Sequence, residues 1–371
     1  MNWSSLFVFA IGGAVAYANG ANDVSKGIAT LVGSGVTNLR GAVLWGTLWT
    51  GIGGIAATFL AHAMLQTFGK GLLGHDVHAT LGAAAASIMG AALWVALGTR
   101  KGLPVSTTHA IVGSVAGVAL AAYGLHGINW PALGGKIILP LLVSPVISLA
   151  LTAGLVRLSR VLVPDVAGDC VCFQVEPVKL QLSSQGTAAL NMVATPRIHL
   201  ASCTSSAKPY AGITINHLHW LTSGATSFAR ALNDAPKMAA LVLGAVLLGG
   251  HSQAPIFYFI AITAGMLAGS WFAGRKVTEV LAEKVTRMNH REGFVANLVT
   301  AALVGPGAAL GLPMSTTHVA SGGIMGIAAG GSERINRRTV RDMISAWVVT
   351  LPAAALLGIT SFLVLHWVGV R

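Results

Sequence analysis

Two octets carry the most informative polar chemistry in this chain. GLPVSTTH occupies Gly102 to His109 and GLPMSTTH occupies Gly311 to His318, differing only at Val105 against Met314. Gly-Leu-Pro ends one helix, and Ser-Thr-Thr can open the next, since Ser and Thr are good N-caps. A helix that starts there aims free N–H groups and its positive dipole end at whatever lies in front. The hydroxyls of Ser106, Thr107 and Thr108, and of Ser315, Thr316 and Thr317, add further donors. Together they suit a tetrahedral oxyanion held by neutral donors. A plainer role is also open, in which the hydroxyls only cap a kinked helix and bond back to the backbone. His109 and His318 can bind an anion, shuttle protons or simply bond a carbonyl. The structural role is the expected one.

A second pair of polar motifs lies in apolar sequence. Of 11 acidic residues, only Asp23 and Asp234 fall in apolar runs, and each follows an asparagine, Asn22 or Asn233. An ionisable group at membrane depth costs several kcal/mol unless it is paired or hydrated, so it points to function. The structural alternative is an i, i+3 pair, Asp23 with Lys26 and Asp234 with Lys237. Gly20 beside Asn22 and Asp23 disfavours continuous helix. An unwound turn there would combine carbonyl and carboxylate oxygens into a site for a hard cation such as Na⁺. Pro236 can break the second copy in the same way.

The elements around these motifs are apolar helices. Of 371 residues, 54% are hydrophobic and 9% charged, against about 25% charged in soluble domains. Mean hydropathy is +0.72. Met1 to Asn22, Ala79 to Thr99, Ile137 to Val156 and Met343 to Val368 carry no charge and suffice to cross a bilayer core of about 30 Å. The pattern predicts an all-α, polytopic membrane protein; the short alternating segments of a β-barrel are absent. Helices are expected over 4–32, 37–63, 78–99, 103–124 and 134–160, then 216–249, 254–273, 293–310, 312–330 and 341–368. The amino end resembles a signal peptide but has no Lys or Arg in its first segment, so an uncleaved helix is expected.

Net charge is +12, yet the basic residues sit at segment ends, as at Arg275 and Lys276 or Arg334 to Arg341. That is the distribution of cytoplasmic loops, and no basic run is interleaved with aromatics as nucleic-acid binding would need. Cys170, Cys172 and Cys203, with His199 as a fourth ligand, could form a zinc site; reduced thiols in a polar loop are the expectation. No G-x-S-x-G elbow supports a hydrolase, so no enzyme is expected.

The chain is duplicated. Tyr17 to Val32 recurs at Phe228 to Leu243 with five of sixteen positions matching, and the octet recurs seven in eight, at offsets of 211 and 209 residues. Two motifs in one order at nearly one offset imply a repeated unit. The expected organisation is a first transmembrane repeat over 1–163, a hydrophilic linker over 164–215 with short amphipathic or strand pieces, and a second repeat over 216–371. Such halves are common in secondary transporters, often inverted and with substrate between interrupted helices. If the Gly274 to Glu292 connector and the Arg334 to Arg341 cluster are both cytoplasmic, residues 293–330 must leave and return, as two crossings or around a re-entrant hairpin.

With GANDVSKGIATLVGSG (Gly20 to Gly35) and both octets in place, the sequence resembles the inorganic phosphate transporter (PiT) family over both membrane halves. The resemblance implies a phosphate permease of the cell (inner) membrane driven by a Na⁺ or H⁺ gradient, with inverted repeats, octets in helical hairpins, a homodimer and no cofactor. By position, it implies that Asn22, Asp23, Asn233 and Asp234 lie at substrate and cation sites, and that the Ser-Thr-Thr triplets hold the anion. Three departures leave the coupling ion open. The second copy reads RALND where the family has a glycine before Asn-Asp. Thr50 stands at or near a place where many members carry Glu or Asn. Asn297, a further candidate cation ligand, stands where some members are acidic. A sulfate permease of the same fold and a passive anion channel are the rival readings.

Overall fold

The computed structural model describes residues 3–74, 76–162, 170–175, 196–200, 211–248, 255–328 and 335–370. Twelve α-helices are found among them: α1 (Trp3–Gly33), α2 (Leu39–Leu60), α3 (His62–Lys70), α4 (Leu81–Arg100), α5 (Thr107–Tyr123), α6 (Leu139–Leu162), α7 (Ile215–Leu248), α8 (Pro255–Ala273), α9 (Arg275–Glu283), α10 (His290–Ala309), α11 (Thr316–Ile327) and α12 (Arg337–Trp367). A one-turn 3₁₀ segment and a π-helical segment, Ala132–Ile138, lead into α6. The order matches the duplication, with α1 to α6 answered by α7 to α12. Short α3 is missing from the sequence expectation because its nine residues are too few to show a clear period.

Among the described residues, seven stretches are long and apolar enough to cross a membrane. Their outward faces carry large apolar side chains: Leu44 and Phe59 on α2, Leu142 and Val146 on α6, Phe272 on α8, Val348 and Leu356 on α12. Water would not tolerate so continuous an apolar exterior, whereas lipid does. The protein is a multi-pass membrane protein.

Within the expected linker, three short strands form an antiparallel sheet in the order β2-β1-β3: β1 (Cys170–Val175), β2 (Pro196–Leu200) and β3 (Ala211–Thr214). Cys172 pairs in register with His199. Cys203 and most of the linker lie outside the described residues.

The halves pack by exchange. Helix α1 lies against α8 and α7 against α2, while α5 lies against α12 and α11 against α6. Helix α1 can approach α8 so closely because Gly20 has no side chain; a Cβ there would sit 2.0 Å from the Met266 carbonyl oxygen. That is the use of this glycine, and α1 runs unbroken from Trp3 to Gly33. The expected unwinding at Gly20 to Asp23 does not occur. Nor does Pro236 break α7, which is continuous from Ile215 to Leu248. The polar side chains of both stretches find partners without any loss of helix.

The true breaks are at the octets, between α4 and α5 and between α10 and α11. Gly102 and Gly311 take φ of +72° and +71°, the left-handed conformation that glycine adopts without strain. Each turn closes alike: Gly102 N–H donates to Thr99 O and Leu103 N–H to Gly98 O, while Gly311 N–H donates to Ala308 O and Leu312 N–H to Gly307 O. Proline follows two residues later in both, at Pro104 and Pro313. Helices α5 and α11 therefore start at residues 107 and 316, four residues later than the expected 103 and 312.

Candidate functional site

The two octet helices begin face to face. Ser106 and Ser315 cap their own helices by accepting from His109 N and His318 N, each at 3.2 Å. Ser315 Oγ also donates to Ser106 Oγ at 2.9 Å, joining the caps. The exchange repeats one residue pair further out: Thr317 Oγ1 donates to Val105 O at 2.8 Å, and Thr108 Oγ1 donates to Met314 O at 3.3 Å. The duplicated residues thus bond across the centre to each other's half. His109 Nδ1 lies 2.8 Å from Ser106 Oγ, and the rings of His109 and His318 stand 4.4 Å apart. Both histidines are buried behind the caps.

Helices α1 and α7 bring the acids to this point. Asp23 Oδ2 accepts from Thr107 Oγ1 at 3.3 Å and from Asn19 Nδ2 at 3.1 Å. Asn19 Nδ2 also lies within hydrogen-bond reach of Thr107 Oγ1 at 3.1 Å and of Asp234 Oδ2 at 3.2 Å. One amide thereby connects the acids of both halves. Asn22 Nδ2 donates to Thr99 Oγ1 and Leu103 O, at 2.9 and 3.0 Å. Asn233 Nδ2 donates to Asp234 Oδ1 at 2.8 Å and to Met314 O at 3.0 Å. Thr316 is buried in the first turn of α11. The structure thus brings together Asn22, Asp23, Asn233, Asp234, Ser106, Thr107, Thr108, Ser315 and Thr317, with Thr316 in the same first turn of α11.

Asn297 does not join them. Its side chain on α10 donates to Gly27 O at 3.0 Å, and its carbonyl accepts from Thr226 Oγ1 at 2.9 Å. It fastens α10 to α1 and α7, which explains its burial without a bound cation.

The electrostatics differ from a cradle of neutral donors. Lys26 pairs with Asp23 at 2.7 Å and Lys237 with Asp234 at 3.3 Å, so both i, i+3 pairs form. Arg230 is fully buried beside them, with Nη1 donating to Asn19 Oδ1 at 3.2 Å and Nη2 to Thr50 Oγ1 at 2.5 Å. All five charged side chains are at most 2% exposed. Three cations against two carboxylates give a formal charge of +1. In this cluster Arg230 Nε, a donor, and Asn233 Oδ1, an acceptor, are left without a hydrogen-bond partner among the described residues. A buried cluster with a spare positive charge, a spare donor and a spare acceptor has the groups to bind a partly protonated anion.

Sequence reasoning missed Asn19 and Arg230, and it weighed Lys26 and Lys237 only as partners of the acids. A signal was present. Asn19 precedes Asp23 by one helical turn and Arg230 precedes Asp234 by the same turn, at the 211-residue offset of the repeat. The missed pair is the repeat's own pair, changed from amide to guanidinium.

Residues 19–358 match the model of the phosphate transporter family, so nearly the whole chain with both Asn-Asp motifs and both octets lies inside one match. The chain belongs to the phosphate transporter family. Its members are transporters and not enzymes, and this transporter is 28% identical to a protein of Thermococcus kodakarensis named a phosphate permease, over 98% of each chain. It is 26% identical to a protein of Mycobacterium tuberculosis named a low-affinity inorganic phosphate transporter, over 95% of this chain and 75% of that one. A solved structure of a sodium-dependent phosphate transporter superposes with a TM-score of 0.79 and 22% identity, covering 99% of this chain and all of the other. At that identity the superposition speaks for the fold of the transporter alone.

Proposed function

We propose that this chain is a secondary active transporter that takes up inorganic phosphate, driven by a Na⁺ or H⁺ gradient across the cell's inner membrane. The observation that carries the reading is the buried charge of the cluster. Lys26, Arg230 and Lys237 outnumber Asp23 and Asp234 in a place closed to water. An uncompensated buried charge is costly, and an entering anion removes that cost.

Phosphate suits the remaining groups better than sulfate. Asn233 Nδ2 is committed to two acceptors, which fixes the amide and leaves Oδ1 facing no donor among the described residues. A protonated phosphate oxygen supplies that donor; sulfate at neutral pH has none to give. The two carboxylates act in the same sense, since they accept from a P–OH group and repel a fully ionised dianion.

The reading includes alternating access by two inverted halves, working as a homodimer. Helix lengths support the inversion. Helices α1, α2 and α6 have 31, 22 and 24 residues, and α7, α8 and α12 have 34, 19 and 31. Each is long enough for about 28 Å or more at 1.5 Å per residue, while nine-residue α3 and α9 reach only about 14 Å. A hairpin such as α4–α5 adds two crossings or none. Each half then crosses an odd number of times, and the second begins on the opposite face.

The test is uptake of radiolabelled phosphate and sulfate into proteoliposomes under imposed Na⁺ or H⁺ gradients. Saturable phosphate accumulation against its own gradient is expected. Conductance without accumulation would make the chain a passive channel, and sulfate accumulation without competition by phosphate would change the substrate.

A further inference from the structure

Each half of the cluster holds a lysine ammonium inside a set of oxygen atoms. Lys26 Nζ donates to Asn22 O at 2.8 Å, Asn22 Oδ1 at 2.6 Å and Asp23 Oδ1 at 2.7 Å. Lys237 Nζ donates to Thr108 Oγ1 at 2.7 Å, Met314 O at 3.1 Å and Asp234 Oδ1 at 3.3 Å. The two sets have one composition: a backbone carbonyl, a carboxylate oxygen and a neutral side-chain oxygen. That is the donor set a hard monovalent cation takes. An ammonium has three N–H groups, and here each meets three acceptors. The far side of Lys237 is closed by Phe68, whose ring centroid is 5.8 Å from Nζ. The lysines stand 211 residues apart, the offset that relates the Asn-Asp pairs.

We propose that Lys26 and Lys237 are tethered cations that fill the two oxygen cages an alkali ion would need, so that this transporter binds phosphate without Na⁺. Asn22 Oδ1, Asp23 Oδ1 and Asp234 Oδ1, the side-chain oxygens that line the cages, are already committed to ammonium groups. A Na⁺ ion entering either cage would face a buried like charge within hydrogen-bond distance of the same oxygens. The residues present therefore do not fit Na⁺ at these positions. A tethered cation gives the anion the same field as a bound ion, but it cannot be released to the other side of the membrane. The inference rests on phosphate being the substrate. Of the two coupling ions open for this chain, it removes the role of Na⁺ at the cages.

The experiment is equilibrium binding of radiolabelled phosphate to the purified full-length protein, in sodium chloride and in choline chloride of equal ionic strength. Wild type is expected to bind equally in both salts. Lys26→Met and Lys237→Met keep most of the side-chain volume and open one cage each. In choline their phosphate affinity is expected to fall roughly tenfold to a hundredfold, and sodium chloride is expected to restore it. A merely structural lysine predicts the same loss in both salts, and that result would overturn the proposal. So would wild-type binding that requires Na⁺, a measurement that needs no variant to fold. Wild type that binds sulfate in place of phosphate, equally in both salts, would overturn the substrate reading and leave the cages as argued. Wild type that binds neither anion in either salt would remove both.

Discussion

Replacing Arg230 by methionine separates a structural arginine from one that awaits an anion. The guanidinium makes two hydrogen bonds to neutral acceptors, Asn19 Oδ1 and Thr50 Oγ1, and its Nε–H has no partner among the described residues. Two such bonds from a charged donor contribute about 3–6 kcal/mol together, against the several kcal/mol that an uncompensated buried ion costs. Arg230→Met makes the cluster neutral, two cations against two carboxylates. The two terms nearly cancel, so without phosphate the variant is expected to melt close to the wild-type temperature. Phosphate binding should fall. Two charge-assisted bonds to the anion contribute about 1.5–3 kcal/mol each, so their loss weakens binding by roughly a hundredfold or more. At a phosphate concentration 100 times the wild-type Kd, wild type gains about 2.7 kcal/mol and the variant about 0.4 kcal/mol. Thermal unfolding in detergent, with and without phosphate, reads both quantities in one assay. A variant that melts lower when empty and keeps the full phosphate shift would refute the reasoning and make Arg230 structural.

Three further outcomes are expected. Asp23→Asn and Asp234→Asn should each abolish coupled phosphate uptake in proteoliposomes while the protein still inserts, because each breaks a buried pair whose loss costs about 3–5 kcal/mol; near-normal uptake in either counts against the site. Gly20→Ala should destabilise by the cost of overpacking, about 1–3 kcal/mol or more, since its Cβ meets the Met266 carbonyl at 2.0 Å; Gly13→Ala, in the same helix with nothing within 4 Å, should instead stabilise by about 0.5–1 kcal/mol, both read as melting temperatures. In a double-mutant cycle on stability, Ser106→Ala and Ser315→Ala should couple by about 0.5 kcal/mol or more through their shared hydroxyl bond; strict additivity would show that the caps act independently.

Much of this arrangement could be read from the residues because it is local or repeated. The octets carry their own turn and cap chemistry, so the breaks there follow from short sequence, although the helices begin only after the Ser caps, at residues 107 and 316 rather than 103 and 312. The convergence of Asp23 and Asp234 followed from duplication. What the sequence concealed was tertiary. Gly20 looks like a helix breaker beside Asn22, yet its role is decided by Met266, 246 residues away. Asn297 looks like a cation ligand in sequence, and only packing shows that its Nδ2 also ties α10 to Gly27 of α1. Arg230, Lys26 and Lys237 are ordinary basic residues in one dimension. Only packing shows that all three are buried around two acids, and that the balance of charge is positive.

The central claim is that both halves build one anion site. Its most direct test is the stoichiometry of radiolabelled phosphate bound at saturation to the purified full-length protein. The account predicts one phosphate per chain, lost altogether when either Asp23→Asn or Asp234→Asn is introduced, because Asn19 and the paired caps join the two acids in one cluster. Two phosphates per chain, with each substitution removing only one, would contradict it.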